Sequence, residues 1–168
     1  MIEQRELYER IVAYEFDQPG STVPFSQRLA RENGWSRGYT ARVITEYRRF
    51  VFLATIGGHP VSPSDDVDQA WHLHLLYTKS YWKGFCGELL QRPLHHEPTQ
   101  GGPMERDKFV RLYRDTLGCY RTVFGHNPPA DIWPTPERRF DGNDRFQRVN
   151  LRRAWIVTKP WARGQRPS

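Results

Sequence analysis

The chain has 168 residues, a formal net charge of +6 and an aromatic content of 14%. This length suits one domain with a hydrophobic core, and the many large rings favour a folded protein over a disordered one. The only cysteines are Cys86 and Cys119, which excludes a disulfide framework and a cysteine-rich zinc site. The sequence predicts neither a signal peptide nor a membrane span, and we expect a cytoplasmic protein.

Apolar residues at helical spacing predict three helices in the N-terminal part of the chain. The first covers about residues 2–16, and the second is "PFSQRLAREN" at 24–33. The third begins at Ser36 and ends at the pair Gly57 and Gly58. Most apolar residues of the third helix share one stripe, so we expect this helix to be central to the core.

A long helix over about residues 65–90 is predicted for the next stretch. Ser64 is a natural N-cap, and the carboxylates of Asp65, Asp66 and Asp68 suit the positive end of a helix. After the loop "RPLHHEPTQGGP", the amphipathic segment "ERDKFVRLYRDTLGCYRTVF" predicts another helix at 105–124. The expected fold is therefore mainly α, a single-domain bundle of about five helices.

Residues 141–168 are expected to form a basic arm that packs on the helical domain of residues 1–140 or extends from it. Nine Lys and Arg against three Asp and Glu lie from Glu137 to Ser168, which accounts for the whole net charge of +6. Arginines interleaved with aromatic residues are typical of nucleic-acid contacts, for which the candidates are Arg138, Arg139, Arg152 and Arg153. A solvated arm that covers an acidic part of its own domain is the alternative that we favour, because no nucleic-acid-binding motif accompanies it.

Four of the six histidines lie in a short window, at His72, His74, His95 and His96. A helix turns by about 100° per residue, so His72 and His74 point to nearly opposite sides of the predicted helix. His74 shares its stripe with Trp71 and Tyr81, which favours a position in the core. His72 lies on the other face, four residues after Asp68.

Asp68, His72 and the loop histidines have the composition of a metal site. Asp68 and His72 from the helix, together with His95 or His96 from the loop, would supply the ligands of a metal site that keeps one position open for water. Imidazole suits zinc, iron, copper and nickel alike, so the ligand types do not select one metal. A surface ion pair, or a carboxylate that orients an imidazole, explains Asp68 and His72 equally well. The residues expected to line the pocket or to support the ligands are Trp71, His74, Tyr77, Tyr81 and Glu97.

Four blocks of the sequence occur in an order that resembles a known family. They are "VDQAWHLHLLYTKSYWKGFC", "RPLHHEPTQGG", "YRDTLGCYRTVFG" and "PPADIWP". Together they resemble the glycine-rich domain-containing-protein-like family in its short bacterial form. The resemblance implies recurring positions but no particular reaction, and these positions are Asp68, Trp71, His72, His74, Tyr81, His95 and His96. This chain lacks a glycine-rich segment, so the resemblance does not extend to RNA association.

Three classes of function follow from these patterns. The first is a metal-binding domain or metal-dependent enzyme built on the DxxWHxH helix and the "LHHEP" loop. The second is a non-catalytic module that binds a protein partner, with a structural cluster of histidines and aromatic rings. The third is nucleic-acid binding through the basic arm. The sequence names no reaction, so it leaves open whether the protein is an enzyme.

Overall fold

The computed structural model describes residues 2–97 and 102–141. These two ranges contain no strand, which confirms the expected mainly α fold. They contain seven helical segments, where the sequence predicted about five. The segments are α1 (Ile2–Ala13), α2 (Phe25–Asn33), α3 (Arg37–Ile56), α4 (Asp65–Leu76), a π-helix (Ser80–Leu90), α5 (Pro103–Phe124) and α6 (Pro136–Arg139).

Serine caps determine where α3 and α4 begin. The Ser36 hydroxyl accepts a hydrogen bond from the Tyr39 N–H at 3.2 Å, and the Ser64 hydroxyl accepts one from the Val67 N–H at 3.3 Å. Each cap satisfies a backbone N–H that has no partner within its helix. The Ser64 cap matters most for the site, because it fixes the first turn of α4.

The helix α3 lies at the centre of the bundle and packs against α1, α2, α4 and α5. Val43, Tyr47 and Phe50 on this helix are completely buried. Large rings from several elements surround them, so that aromatic packing forms much of the core. The helix therefore takes the central position expected from its apolar stripe.

The single helix predicted over 65–90 is wrong, because α4 ends at Leu76 and a π-helix begins at Ser80. At Tyr77 the backbone leaves helical geometry, with φ −87° and ψ 56°. The Tyr77 ring packs on Phe25 of α2, and the Ser80 hydroxyl contacts the Tyr14 hydroxyl at 2.7 Å. These contacts with α2 and with the residue that follows α1 override the local helical preference of the segment.

The residue pattern of the π-helix agrees with its wider turn. Tyr81, Phe85, Cys86 and Leu90 are buried, so buried positions recur every four to five residues. That spacing exceeds the 3.6 residues of an α-helix and suits bonds between residues five apart. The π-helix thereby keeps one face in the core although α4 has ended.

Glu46 joins α3 to α5 and to the segment before α6. Its buried carboxylate accepts hydrogen bonds from Arg49 at 2.7 Å, from Tyr120 at 3.3 Å and from the indole of Trp133 at 3.0 Å. A buried carboxylate needs such partners, because an unpaired charge in the core costs several kcal/mol. The end of the described chain is thus held against the bundle.

The basic arm proposed from residue 141 onward lies outside the described residues, apart from Asp141 itself. Within the described ranges, no helix combines the length and the apolar character needed to cross a bilayer.

Candidate metal centre

The first part of the candidate site is built on α4. Asp68 and His72 are one helical turn apart, and His72 Nδ1 lies 3.6 Å from Asp68 Oδ2. The side chain of His72 is 51% exposed, whereas that of Asp68 is 24% exposed. The pair therefore lies at the surface, and the carboxylate of Asp68 is more buried than the imidazole of His72.

His96 in the "LHHEP" loop brings a second imidazole to the same carboxylate. Its Nε2 lies 2.7 Å from Asp68 Oδ1, which is hydrogen-bonding distance to an oxygen that accepts, so the imidazole donates. The rings of His72 and His96 are 4.4 Å apart between centroids. Asp68 thus lies between two histidines that come from different segments of the chain.

A chain of hydrogen bonds holds the loop in place. The indole N–H of Trp71 donates to the Tyr81 hydroxyl at 2.9 Å, and this hydroxyl donates to the backbone carbonyl of Leu94. The loop is therefore fixed two residues before His96, whose ring packs on Trp71 at 4.4 Å between centroids. Burial raises the pKa of Tyr81, which keeps its hydroxyl protonated as the donor that Leu94 requires.

The three side chains are arranged so that they can hold a metal ion. One ligand atom from each of Asp68, His72 and His96 lies within 4.8 Å of the others. Around an ion with bonds of about 2.1 Å, tetrahedral ligand atoms lie about 3.4 Å apart. The contact between Asp68 and His96 would lengthen, and the histidines would move inward. Because only a nitrogen without a proton binds a metal ion, the proton that His96 Nε2 donates in this contact would have to leave that nitrogen.

His74 lies in the core, on the side of α4 away from the candidate site. It is 2% exposed, and its Nδ1 lies 3.0 Å from the Tyr47 hydroxyl. Six aromatic rings surround its imidazole, those of Tyr14, Phe16, Phe25, Tyr47, Tyr81 and Phe85. This burial lowers the pKa of His74 to about 3, so the imidazole is neutral at physiological pH. His74 does not contribute to the group formed by Asp68, His72 and His96.

The remaining predicted site residues lie around the cluster or away from it. His95 is exposed, and its ring lies 5.5 Å from that of Trp82. Glu97 is exposed too, whereas Tyr77 packs on Phe25 of α2. The structure therefore brings His96 to Asp68 and leaves His95 outside the group.

The alternation of exposure along the loop explains this difference between the two adjacent histidines. Leu94 and His96 are partly buried, whereas His95 and Glu97 are exposed. Successive side chains of an extended segment point to opposite sides, so only one of two adjacent histidines can face the protein. The pattern of "LHHEP", with apolar Leu94 two residues before His96, is the signal that would have selected His96 from the sequence. Leu94 itself, as the anchor of the loop, was missed.

Of the candidate nucleic-acid contacts, Arg138 and Arg139 are described, whereas Arg152 and Arg153 lie outside the described residues. Arg138 is exposed. Arg139 donates to Asp65 at 3.2 Å, and its guanidinium lies 4.5 Å from the centre of the Tyr113 ring. Arg139 therefore connects α6 to the first turn of α4.

Comparison with known proteins identifies a family. The family described as UCP032817-like matches residues 9–113, more than half of the chain. The chain belongs to this family. The matched range contains Asp68, His72 and His96, so the whole candidate site lies within the UCP032817-like region. No curated protein and no solved structure matches the chain significantly.

Proposed function

We propose that the protein binds a divalent transition metal ion through Asp68, His72 and His96. The observation that supports this proposal is the convergence of a carboxylate and two imidazoles from α4 and the loop within 4.8 Å. The loop is held in position by bonds to buried aromatic residues rather than by the histidine alone. Such support of a ligand from outside the metal's own contacts is typical of metal sites.

Two imidazoles and one carboxylate form a ligand set found in catalytic zinc sites and in non-haem iron(II) sites. Three protein ligands leave coordination positions for water or a substrate, and the exposed His72 places the open side toward solvent. A metal held in this way supplies Lewis acidity and lowers the pKa of a bound water. A metal-dependent enzyme is therefore the form of this proposal that the ligand set supports best.

Metal binding to the protein without a histidine tag tests the proposal. We expect purified protein to retain a transition metal, and metal-free protein to bind zinc, iron(II), copper or nickel at a single site in calorimetric titration. His96→Ala should weaken binding at least 100-fold, because it removes one of three ligands. His95→Ala is the matched control, because it removes the adjacent exposed imidazole. Equal affinities of the two variants, or no binding by the wild type, would reject the site.

The alternative is a structural cluster in a module that binds a protein partner. The 2.7 Å contact between Asp68 and His96 favours this alternative, because it satisfies both groups without an ion. In that case His96→Ala would lower the free energy of unfolding in the presence of a chelator, and no metal would bind to the wild type. A partner should then be retained by the wild type and lost with the cluster.

Three finer statements stay predictions. Nucleic-acid binding would depend on the basic arm of residues 141–168. Salt-dependent binding of mixed oligonucleotides would support this function if deletion of the arm abolishes the binding. A cytoplasmic location follows only from the sequence. The kinship with glycine-rich domain-containing proteins rests on the order of the four sequence blocks.

A further inference from the structure

A cavity of about 580 Å³ lies between the N-terminal half of α3 and the loop that joins α1 to α2. Its volume is within the range of small-molecule sites in proteins, about 300–1,000 Å³. The opposite wall includes Phe16, Asp17 and Ser26. The wall contributed by one face of α3 consists of Arg37, Thr40, Ala41, Ile44, Thr45 and Arg48.

Arg48 is a half-buried cation in this wall without an ion pair among the described residues. Two other arginines of the same helix have carboxylate partners, since Arg42 pairs with Asp131 and Arg49 pairs with Glu46. By contrast, Arg48 donates to the backbone carbonyl of Tyr14 at 2.9 Å. The carboxylates of Glu15 and Asp17 attract Arg48 without forming a direct ion pair, so an anion in contact with the half-buried guanidinium would stabilise it further.

The surroundings of Arg48 leave part of its guanidinium without a polar partner. Its buried Nε atom makes no hydrogen bond to any of the described residues, as is also true of Arg49 Nε. Its guanidinium lies over the Phe16 ring, 5.1 Å from the ring centre, so one face is closed to water. Burial lowers the pKa of Arg48, and the nearby carboxylates of Glu15 and Asp17 oppose this shift only in part.

The charges around the cavity favour an anion with a single charge. Arg37 and Arg48 contribute two positive charges, and Glu15 and Asp17 contribute two negative charges. Both oxygens of Asp17 already accept hydrogen bonds from Ser26, at 2.7 and 2.6 Å. Both carboxylates would repel any anion, and they would repel a phosphate dianion about twice as strongly as a monoanion beside Arg48.

We propose that this cavity binds a small monocarboxylate whose charged group pairs with Arg48 and whose apolar body contacts Phe16 and Ile44. The pairing would give the guanidinium the carboxylate that its neighbours on α3 already have. The two apolar side chains are mostly buried, and an aromatic or branched acid would contact the small parts of them that line the cavity. This site is separate from the candidate metal centre and does not depend on it.

Calorimetric titration of the full chain with three probes tests this proposal. We expect benzoate to bind, whereas benzamide, which has nearly the same shape without the charge, and inorganic phosphate should bind at least tenfold more weakly. Arg48→Gln should weaken benzoate binding at least tenfold. Arg31→Gln on the exposed end of α2 is the matched control, because it removes the same charge outside the cavity.

A second variant keeps the proposal testable if Arg48→Gln does not fold. Glu15→Gln removes a repelling carboxylate from the cavity wall, so benzoate should bind more tightly to this variant than to the wild type. Equal binding of benzoate and benzamide would overturn the proposal, as would equal binding of benzoate and phosphate. If Glu15→Gln instead lowers the thermal stability and leaves benzoate unbound, Glu15 is the counter-charge of Arg48 and no ligand is required.

Discussion

The neutral imidazole of His74 should make the protein lose stability in mild acid. Burial lowers the pKa of His74 from 6.5 to about 3. Each pKa unit corresponds to about 1.36 kcal/mol, so the unfavourable charging of this one group in the folded state amounts to about 5 kcal/mol. Such an amount is a large part of the net stability of an ordinary domain, about 5–15 kcal/mol.

The direction of the effect follows from proton binding in the two states. Below pH 6.5 the unfolded chain binds a proton on His74, whereas the folded protein binds it only near pH 3. The unfolded state is therefore favoured as the pH falls through this window. Between pH 6.5 and 4.5, His74 should remove about 2.3 kcal/mol from the free energy of unfolding, because the unfolded chain is already half protonated at this position at pH 6.5.

Replacing the buried polar pair by two phenylalanines isolates this contribution. The double variant Tyr47→Phe with His74→Phe removes both partners of the 3.0 Å contact, so neither is left unsatisfied. Urea unfolding at a series of pH values, with a chelator present, gives the free energy of unfolding of each protein. We expect the variant to lose about 2.3 kcal/mol less than the wild type between pH 6.5 and 4.5.

The exposed His59 provides the matched control for this measurement. His59→Phe makes the same kind of replacement at an exposed position outside the core, so it shows how much of any change comes from the substitution itself. A double variant whose stability falls as steeply as that of the wild type would refute the reasoning. The other histidines and the carboxylates are shared by all the proteins compared, so their titration cancels in the difference.

Four further predictions concern the supports of the site and the helices. Tyr81→Phe removes the bond that anchors Leu94, so zinc affinity should fall about tenfold while the circular dichroism spectrum is unchanged; an unchanged affinity would contradict the anchoring. Glu46→Leu leaves its buried partners unpaired and should lower the free energy of urea unfolding by about 3–5 kcal/mol; a loss below about 1 kcal/mol would contradict the network. In Gly118→Ala, the added Cβ on α5 would have no atom within 4 Å, so the helix should gain about 0.5–1 kcal/mol in free energy of unfolding and the melting temperature should rise. Gly57→Ala should lower the melting temperature, because its Cβ would lie 2.8 Å from a backbone oxygen.

Local patterns in the sequence predicted most of the helices. The serine caps at Ser36 and Ser64 and the apolar stripe of α3 are local signals, and they place α3 and the start of α4 well. The opposite directions of His72 and His74 also follow from helical geometry alone. These features depend on residues within one or two turns of each other, which is why periodicity is sufficient.

Features that depend on distant contacts were not predictable in the same way. The break at Tyr77 depends on contacts with Phe25 of α2 and with Tyr14 just after α1, and no turn residue marks it in the sequence. The position of His96 depends on a hydrogen bond between Tyr81 and the Leu94 backbone, which periodicity does not report. The charge of Arg48 is ordinary in the sequence and becomes informative only when its neighbours on α3 are seen to be paired.

The first turn of α4 limits where the chain tolerates insertions and deletions. Asp65 pairs with α6, Asp66 accepts a hydrogen bond from α3, and Asp68 contacts the loop. One added residue within this turn would rotate the following side chains by about 100° and separate them from their partners. Length changes among relatives should therefore fall in the proline-containing linker before Ser64 and be absent between Ser64 and His72.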